Sequence, residues 1–310
     1  MIDATRYPDT AVLASALVQS WPDHARFVEQ SFAPRDAALM ASTERHAGMI
    51  LRVIGGAAAA PGFCADYRFL CDRLMEEELY FRRHQSYRLS RFEQALAEVY
   101  SNDAFMQRYM NFLLLTHVVW ENHARAIEHF EASYLPALPL GTDHLEIGPG
   151  HGLLLHLASI APTVGSVTGW DISQTSIDQT RACLKAMGGH EVALKLQDLF
   201  AAAPREAAGG GFGSVVLSEV LEHLEDPVAA LKAVAQHMRP GGRLWIHVPV
   251  NSPAPDHIYL LRTPEEAVEL VRMAGFEPTD AAFYPMTGQT LARARRLDLT
   301  ISAVVSARLP

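Results

Sequence analysis

Cysteine is scarce in this chain. There are three, Cys64, Cys71 and Cys183, and none belongs to a CxxC pair. So small and odd a set is no disulfide framework and reads as the reduced thiols of a cytoplasmic protein. Long apolar runs are lacking too: all are interrupted by His, Arg or Glu well before the ~18 residues a membrane-crossing helix needs. The opening residues, MIDATRYPDT, carry no basic stretch leading into an apolar core, so no secretion signal is expected. Positive charge is in deficit, with 26 Lys and Arg against 35 Asp and Glu and a formal net charge of -9. That balance argues against a broad nucleic-acid-gripping face. What remains is 310 residues, 49% of them hydrophobic, enough for one large domain or two of ordinary size.

The pattern changes near position 140. Before it, apolar residues recur at helical spacing. Val12, Leu13, Leu17 and Val18 form one stripe, and Ala37 to Ile54 is stopped by Gly55-Gly56. Pro61-Gly62 reads as punctuation. Helices are expected over Tyr67 to Tyr87, Ser90 to Val99 and, as one long run, Asp103 to Tyr134. After position 140, apolar strands alternate with amphipathic helices. Strands are expected at His144–Ile147, Ser166–Trp170, Val192–Leu196, Val215–Leu217, Arg243–Val248, Ala281–Tyr284 and Thr300–Ala307, with a Gly-rich gap at Gly209–Gly213. Thr263, Pro264 and Glu266 spell a capping box. Such alternation predicts an α/β fold, a parallel sheet covered on both faces.

The most informative stretch is LEIGPGHGLLLHLAS, Leu145 to Ser159. A buried strand runs through Gly148, Gly150 and Gly152 straight into a helix, a turn that lets backbone approach a ligand closely. Leu153 stands where a dinucleotide-binding GxGxxG would place its last glycine, so a nicotinamide dehydrogenase fits poorly. Asp171 ends the second strand and can accept both hydroxyls of a ribose; Asp198 ends the third and can accept from an adenine amino group.

With these residues in view, the chain from about His144 to Leu309 resembles the class I S-adenosylmethionine-dependent methyltransferase family, of the small-molecule type. The resemblance rests on EIGPGHG, GWDIS, QDLF, SVVLSEVLEHLEDP and RPGGRLWI. It implies a doubly wound, Rossmann-like, seven-stranded sheet (residues 141–310, the cofactor-binding catalytic domain) behind an N-terminal all-helical domain (1–140). It implies that Glu146, Gly148 and Gly150 hold the methionine portion of S-adenosylmethionine, that Asp171 and Ile172 flank the ribose, that Asp198 and Leu199 meet the adenine, and that Ser218 closes the site. By analogy, the helical segment is expected to cover substrate or to build a homodimer.

Beyond the fourth strand come Glu219, Glu222 and His223, an ExxEH whose members would share one face if the segment were helical. Three readings stay open. His223 packs against the sheet, ordered by Glu222; or His223 is a general base oriented by Glu222; or Glu219, Glu222 and His223 ligate a divalent metal ion. The last resembles the metal-binding sequence of small-RNA terminal 2′-O-methyltransferases and, in part, some ubiquinone-pathway O-methyltransferases. A fourth ligand, His257, and a catalytic contact would come from the loop NSPAPDHIYL, which also carries Asn251, Asp256 and Tyr259. Arg293, Arg295 and Arg296 either pair with a substrate anion or form a solvated face.

The expected activity is methyl transfer to a small-molecule acceptor, at O, C, N or S, such as a specialised metabolite or a methionine-like thioether. The alternatives are a methyltransferase on a carrier-tethered acyl group and a non-catalytic S-adenosylmethionine-binding protein. Neither nucleic acid nor membrane is an expected partner.

Overall fold

The protein is described here from a computed structural model that covers residues 2–201 and 210–310; Met1 and Gly209, the first residue of the Gly-rich gap, lie outside them. The first 140 residues are helical. In chain order, α1 (Pro8–Ser20), α2 (Ala25–Phe32), α3 (Ala37–Ile54), α4 (Ala60–His84), the short α5 (Phe92–Ala95), α6 (Asp103–Val119) and α7 (Glu121–His129) lead to the sheet. Helix α3 is capped as its sequence suggests: the Asp36 carboxylate accepts from the Leu39 N–H, and Gly55 ends it in the left-handed region at φ 85°.

Three local expectations are corrected. Pro61 opens α4 rather than interrupting the chain, because its missing N–H falls in the first turn. The run from Asp103 to Tyr134 is two helices, not one. Trp120 adopts an extended conformation between them, and its indole N–H donates to the Tyr67 hydroxyl at 2.8 Å. Residues Phe130–Tyr134 then form a π-helical turn. Thr263 precedes α11 (Pro264–Met273), but its hydroxyl makes no capping bond. Glu266 instead reaches the Arg262 N–H at 2.8 Å.

The sheet has all seven expected strands: β1 (Thr142–Ile147), β2 (Val164–Asp171), β3 (Ala193–Leu196), β4 (Phe212–Ser218), β5 (Met238–Val250), β6 (Glu277–Pro285) and β7 (Ile301–Arg308). Their spatial order is β3-β2-β1-β4-β5-β7-β6. The first five are parallel; β7 runs antiparallel to both β5 and β6. Helices α8 (Leu153–Ser159), α9 (Gln174–Met187), α10 (Pro227–Gln236) and α12 (Leu291–Arg296) make up the rest of the connections. The order reverses between β1 and β4, and open α/β sheets bind ligands beyond the strand ends at such a switch point.

One face of the sheet packs on α10 and α11. The other packs on the helical segment, and there the apolar cluster is continuous: Leu115, Val118, Ile127 and Phe130 from α6, α7 and the following turn join Val216, Trp245 and Val304 from the sheet. Trp245 is fully buried, with its ring 5.1 Å from that of Phe130. Among the described residues no single helix is long and apolar enough to cross a membrane.

Candidate active site

A cavity of about 670 Å³ opens at the carboxyl ends of β1, β2, β3 and β4, with α5 and α6 as its far wall. The β1–α8 turn forms its floor. Gly148, Gly150 and Gly152 all have positive φ (65°, 52° and 75°), a region that side chains rarely enter. A Cβ on Gly148 would also come within 2.9 Å of Val220. Glycine therefore both allows the turn and keeps the cavity open.

Every residue expected to hold the cofactor lines this cavity: Glu146, Gly148, Gly150, Asp171, Ile172, Asp198, Leu199 and Ser218. Asp171 accepts from the Ser173 N–H at 2.8 Å, and burial pushes its carboxyl up to about 6 despite backbone hydrogen bonds that oppose the shift. Asp198 accepts from the Phe200 N–H at 2.9 Å. Glu146 is buried, its Oε2 has no hydrogen-bond partner, and burial holds its carboxyl well above the usual range. A buried acceptor without a donor is costly, and a ligand ammonium answers it. Ile172 and Phe200 leave large apolar surfaces exposed at the rim, as flanks for a flat aromatic base. The donor set fits S-adenosylmethionine: an acid for the ammonium, an acid for the ribose diol, and an acid with apolar neighbours for adenine.

The ExxEH segment is not a helix, so its side chains do not share a face. Glu219 sits in the left-handed region at φ 54°, and only Leu221–His223 form a single 3₁₀ turn. Glu219 is thereby turned toward His247, whose Nε2 lies 3.1 Å from its Oε1. Burial, then Asp256, raises the Glu219 carboxyl to about 8. Glu219 is not brought into the cluster with Glu222 and His223; His257 is. Glu222, His223 and His257 place one ligand atom each within 4.8 Å of one another. The turn and the β5 loop are tied directly, since the N–H groups of Ile258 and Tyr259 both donate to the Glu222 carbonyl at 2.9 Å.

The protons in this cluster follow from its partners. His223 Nδ1 faces the Asp256 carbonyl at 3.1 Å and the Tyr100 oxygen at 3.2 Å, and Tyr100 already donates to Asp256 Oδ2 at 3.0 Å. Only acceptors surround Nδ1, so it carries the proton. His257 Nδ1 lies 2.6 Å from the Ser252 carbonyl and is protonated for the same reason. Both Nε2 lone pairs are left toward the Glu222 Oε1, at 3.6 Å for His223 and 4.0 Å for His257. Glu222 is fully buried and neither of its side-chain oxygens has a hydrogen-bond partner. Burial, reinforced by Glu219 and Asp256, pushes its carboxyl well up. Burial likewise lowers His257 to about 4. Two lone pairs and a carboxylate converging without a donor call for a cation or a shared proton. Imidazoles anchored through Nδ1–H to carbonyls are the usual supports of a metal site.

Three features had no motif to announce them. Asp256 is clamped from the helical side, since Tyr109 donates to its Oδ1 at 2.7 Å and Tyr100 to its Oδ2. His117 of α6 lies 2.8 Å, Nε2 to Nε2, from His151 of the glycine turn. His123, past the break at Trp120, also lines the cavity. His117 and Trp120 interrupt an otherwise apolar run within Asp103 to Tyr134, which is all that the sequence offers toward them. Of the β5 loop, Asn251 is buried and structural, donating to the Arg262 carbonyl at 2.9 Å, and Tyr259 is not part of the cavity wall. Arg293, Arg295 and Arg296 are exposed and do not reach the cavity; Arg295 pairs with Glu265 at 2.6 Å.

Comparison with known proteins agrees with this geometry. A family model described as a methyltransferase domain matches residues 119–296. The chain is 32% identical over 117 residues to the ubiquinone biosynthesis O-methyltransferase of Xanthomonas axonopodis pv. citri (strain 306), covering 37% of this chain and 46% of that protein. It is 28% identical over 193 residues to the enzyme of the same name from Dinoroseobacter shibae, covering 54% and 73%. The match thus spans about half the length of the first of these relatives. Among solved structures, the cyclase SpnF superposes with a TM-score of 0.48 at 17% identity, covering 61% of this chain and 82% of that one. The chain belongs to the methyltransferase-domain family, of the class I, S-adenosylmethionine-dependent type.

Proposed function

We propose that the protein transfers the methyl group of S-adenosylmethionine to a hydroxyl oxygen of a small molecule, with Glu222, His223 and His257 holding a divalent cation beside the acceptor. The observation that carries this reading is the convergence of two imidazole lone pairs on the unpartnered, buried Glu222 carboxylate. A thioether or neutral amine needs no such group to react; a hydroxyl does. The relatives' printed name, O-methyltransferase, points the same way.

The chain's own work is positioning. Asp171 accepts the ribose hydroxyls, Glu146 faces the ammonium, and Asp198 with Leu199 and Ile172 borders the adenine. The reaction is an in-line displacement, so alignment and exclusion of water supply most of the rate. Helix α6 does both, closing the cavity with Met106, Tyr109 and Met110. The divalent cation would supply Lewis-acid polarisation of the acceptor hydroxyl. His223 and His257 would be held rigid toward it by their Nδ1–H bonds, and Tyr100 and Tyr109 would keep Asp256 from moving.

The test is methyl transfer from labelled S-adenosylmethionine to a panel of small phenols and alcohols, with and without chelator, in the native chain and in Glu222→Gln. Label in the product oxygen, lost with chelator and in the variant while S-adenosylmethionine still binds, is the expected result. Transfer undiminished by both treatments would overturn the cation reading. Label on nitrogen, sulfur or carbon would overturn the acceptor atom.

A further inference from the structure

The charge of the cavity wall carries a statement about the acceptor that the motifs do not. Seven acidic side chains line the cavity, and no lysine or arginine does among the described residues. Asp171 and Asp198 stand at one end, Asp256 at the other, and Glu225 and Asp226 beside the mouth; Glu146 and Glu219, whose carboxyls burial pushes up, add no negative charge near neutral pH. The lining histidines of α6, α7 and the glycine turn do not offset them: burial holds His123 at about 3, His151 at about 4, and His117 lower than usual. Three arginines of nearby elements are engaged elsewhere. Arg82 donates to the Leu297 and Asp298 carbonyls, Arg262 to the Gln85 carbonyl, and Arg108 to Asp66.

The opposite wall is apolar. Phe92, Leu96, Met106 and Met110 face the cavity from α5, α6 and the turn between them. The hydroxyls of Tyr100 and Tyr109 are committed to Asp256, so both rings present carbon. An anion entering here would lose its water and find no cationic side chain in the wall, only carboxylates. One divalent cation balanced by Glu222, together with one bound S-adenosylmethionine, would not reverse the sign of the wall.

We propose that this cavity selects acceptors without negative charge, neutral or cationic, with an aromatic or apolar body against α5 and α6, and rejects carboxylates and phosphates. This deepens the reading of the site given above and rests on it. It also removes the role that the sequence left open for Arg293, Arg295 and Arg296.

Three probes of equal size separate charge from shape: 3,4-dihydroxybenzamide, 3,4-dihydroxybenzylamine and 3,4-dihydroxybenzoate. Their vicinal hydroxyls suit a single cation. Each is titrated by calorimetry into the native chain saturated with S-adenosylhomocysteine and magnesium, and binding is read without turnover. The amide and the amine are expected to bind at least about tenfold tighter than the benzoate, with the gap narrowing as salt is raised. In Leu96→Lys, at an exposed rim position that tolerates a long side chain, benzoate affinity is expected to rise several-fold with amide affinity unchanged. Benzoate binding as tight as the amide, or no binding of any probe, would overturn the proposal. Failure of the methyl-transfer reading looks different: the charge order would hold while no label reached oxygen.

Discussion

The two ends of the cavity are built in opposite ways. The cofactor end comes from one stretch of chain. Glu146, Asp171 and Asp198 lie within two residues of the carboxyl ends of three neighbouring strands, so backbone geometry delivers the side chains to one edge of the sheet. The acceptor end is assembled from afar. Tyr100 reaches Asp256 across 156 positions and Tyr109 across 147, and the Glu222 carbonyl gathers the β5 loop by two backbone bonds. The contrast teaches that a ligand shared by a whole family can be bound by local rules. The other end of this cavity is built by tertiary contacts.

Acid should break the symmetry between the ends most visibly. His151 and His257 are lowered to about 4 and His123 and His144 to about 3, against an ordinary value of 6.5. Their unfolded forms therefore bind more protons, and the stability they confer is complete above pH 6.5 and lost as pH falls toward 4. Each titrating group contributes a slope of about 1.4 kcal/mol per pH unit. Asp171 has the opposite sign: its value, raised to about 6, means that stability falls as pH rises from about 4 to 6. Glu128, Glu146, Glu219 and Glu222 share that sign, but His24, His117, His156 and His247 are lowered as well; eight against five, the histidines dominate. Urea unfolding at pH 7 and pH 5 should show a loss of several kcal/mol; equal stability at both would break the argument.

Asp171→Ala isolates the cofactor end. Loss of charge-assisted hydrogen bonds to the ribose, each worth about 1.5–3 kcal/mol, should weaken S-adenosylmethionine binding roughly 100-fold by calorimetry, with the fold intact by circular dichroism. Tyr109→Phe addresses the other end. It leaves a buried carboxylate oxygen of Asp256 without its donor, at a cost of about 1–3 kcal/mol in unfolding free energy, and cofactor affinity should hardly change. The smallest effect belongs to the exposed pair outside the cavity. Arg295→Ala should shift stability by less than about 0.5 kcal/mol and leave transfer rates alone; a clear loss of rate would reopen the arginine reading.

The same contrast explains what the sequence made legible. Seven apolar runs located the seven strands, and the glycine turn with the strand-end acids pointed to residues that do line one cavity, because period and punctuation are local signals. The break at Trp120 was invisible, since Asp103 to Tyr134 contains neither Gly nor Pro and the bend follows a hydrogen bond to Tyr67. That bend brings His117 and His123 to one cavity. The departure of Glu219 from its expected partners was equally hidden: an ExxEH spacing says which residues meet only if the segment is a helix, and φ 54° at Glu219 makes it something else. His257 was legible as a polar residue of the loop after the fifth strand, but its meeting with Glu222 depends on the backbone bonds from Ile258 and Tyr259.

The apolar cluster that runs unbroken from α6 and α7 into the sheet has a thermodynamic meaning. Helices that share a core with strands melt with them, so a ligand bound at the strand ends also stabilises helices it never meets. At a free concentration of about 100 times the dissociation constant, that linkage is worth about 2.7 kcal/mol. The supply of S-adenosylmethionine in the protein's surroundings would then govern how long the helical half stays folded.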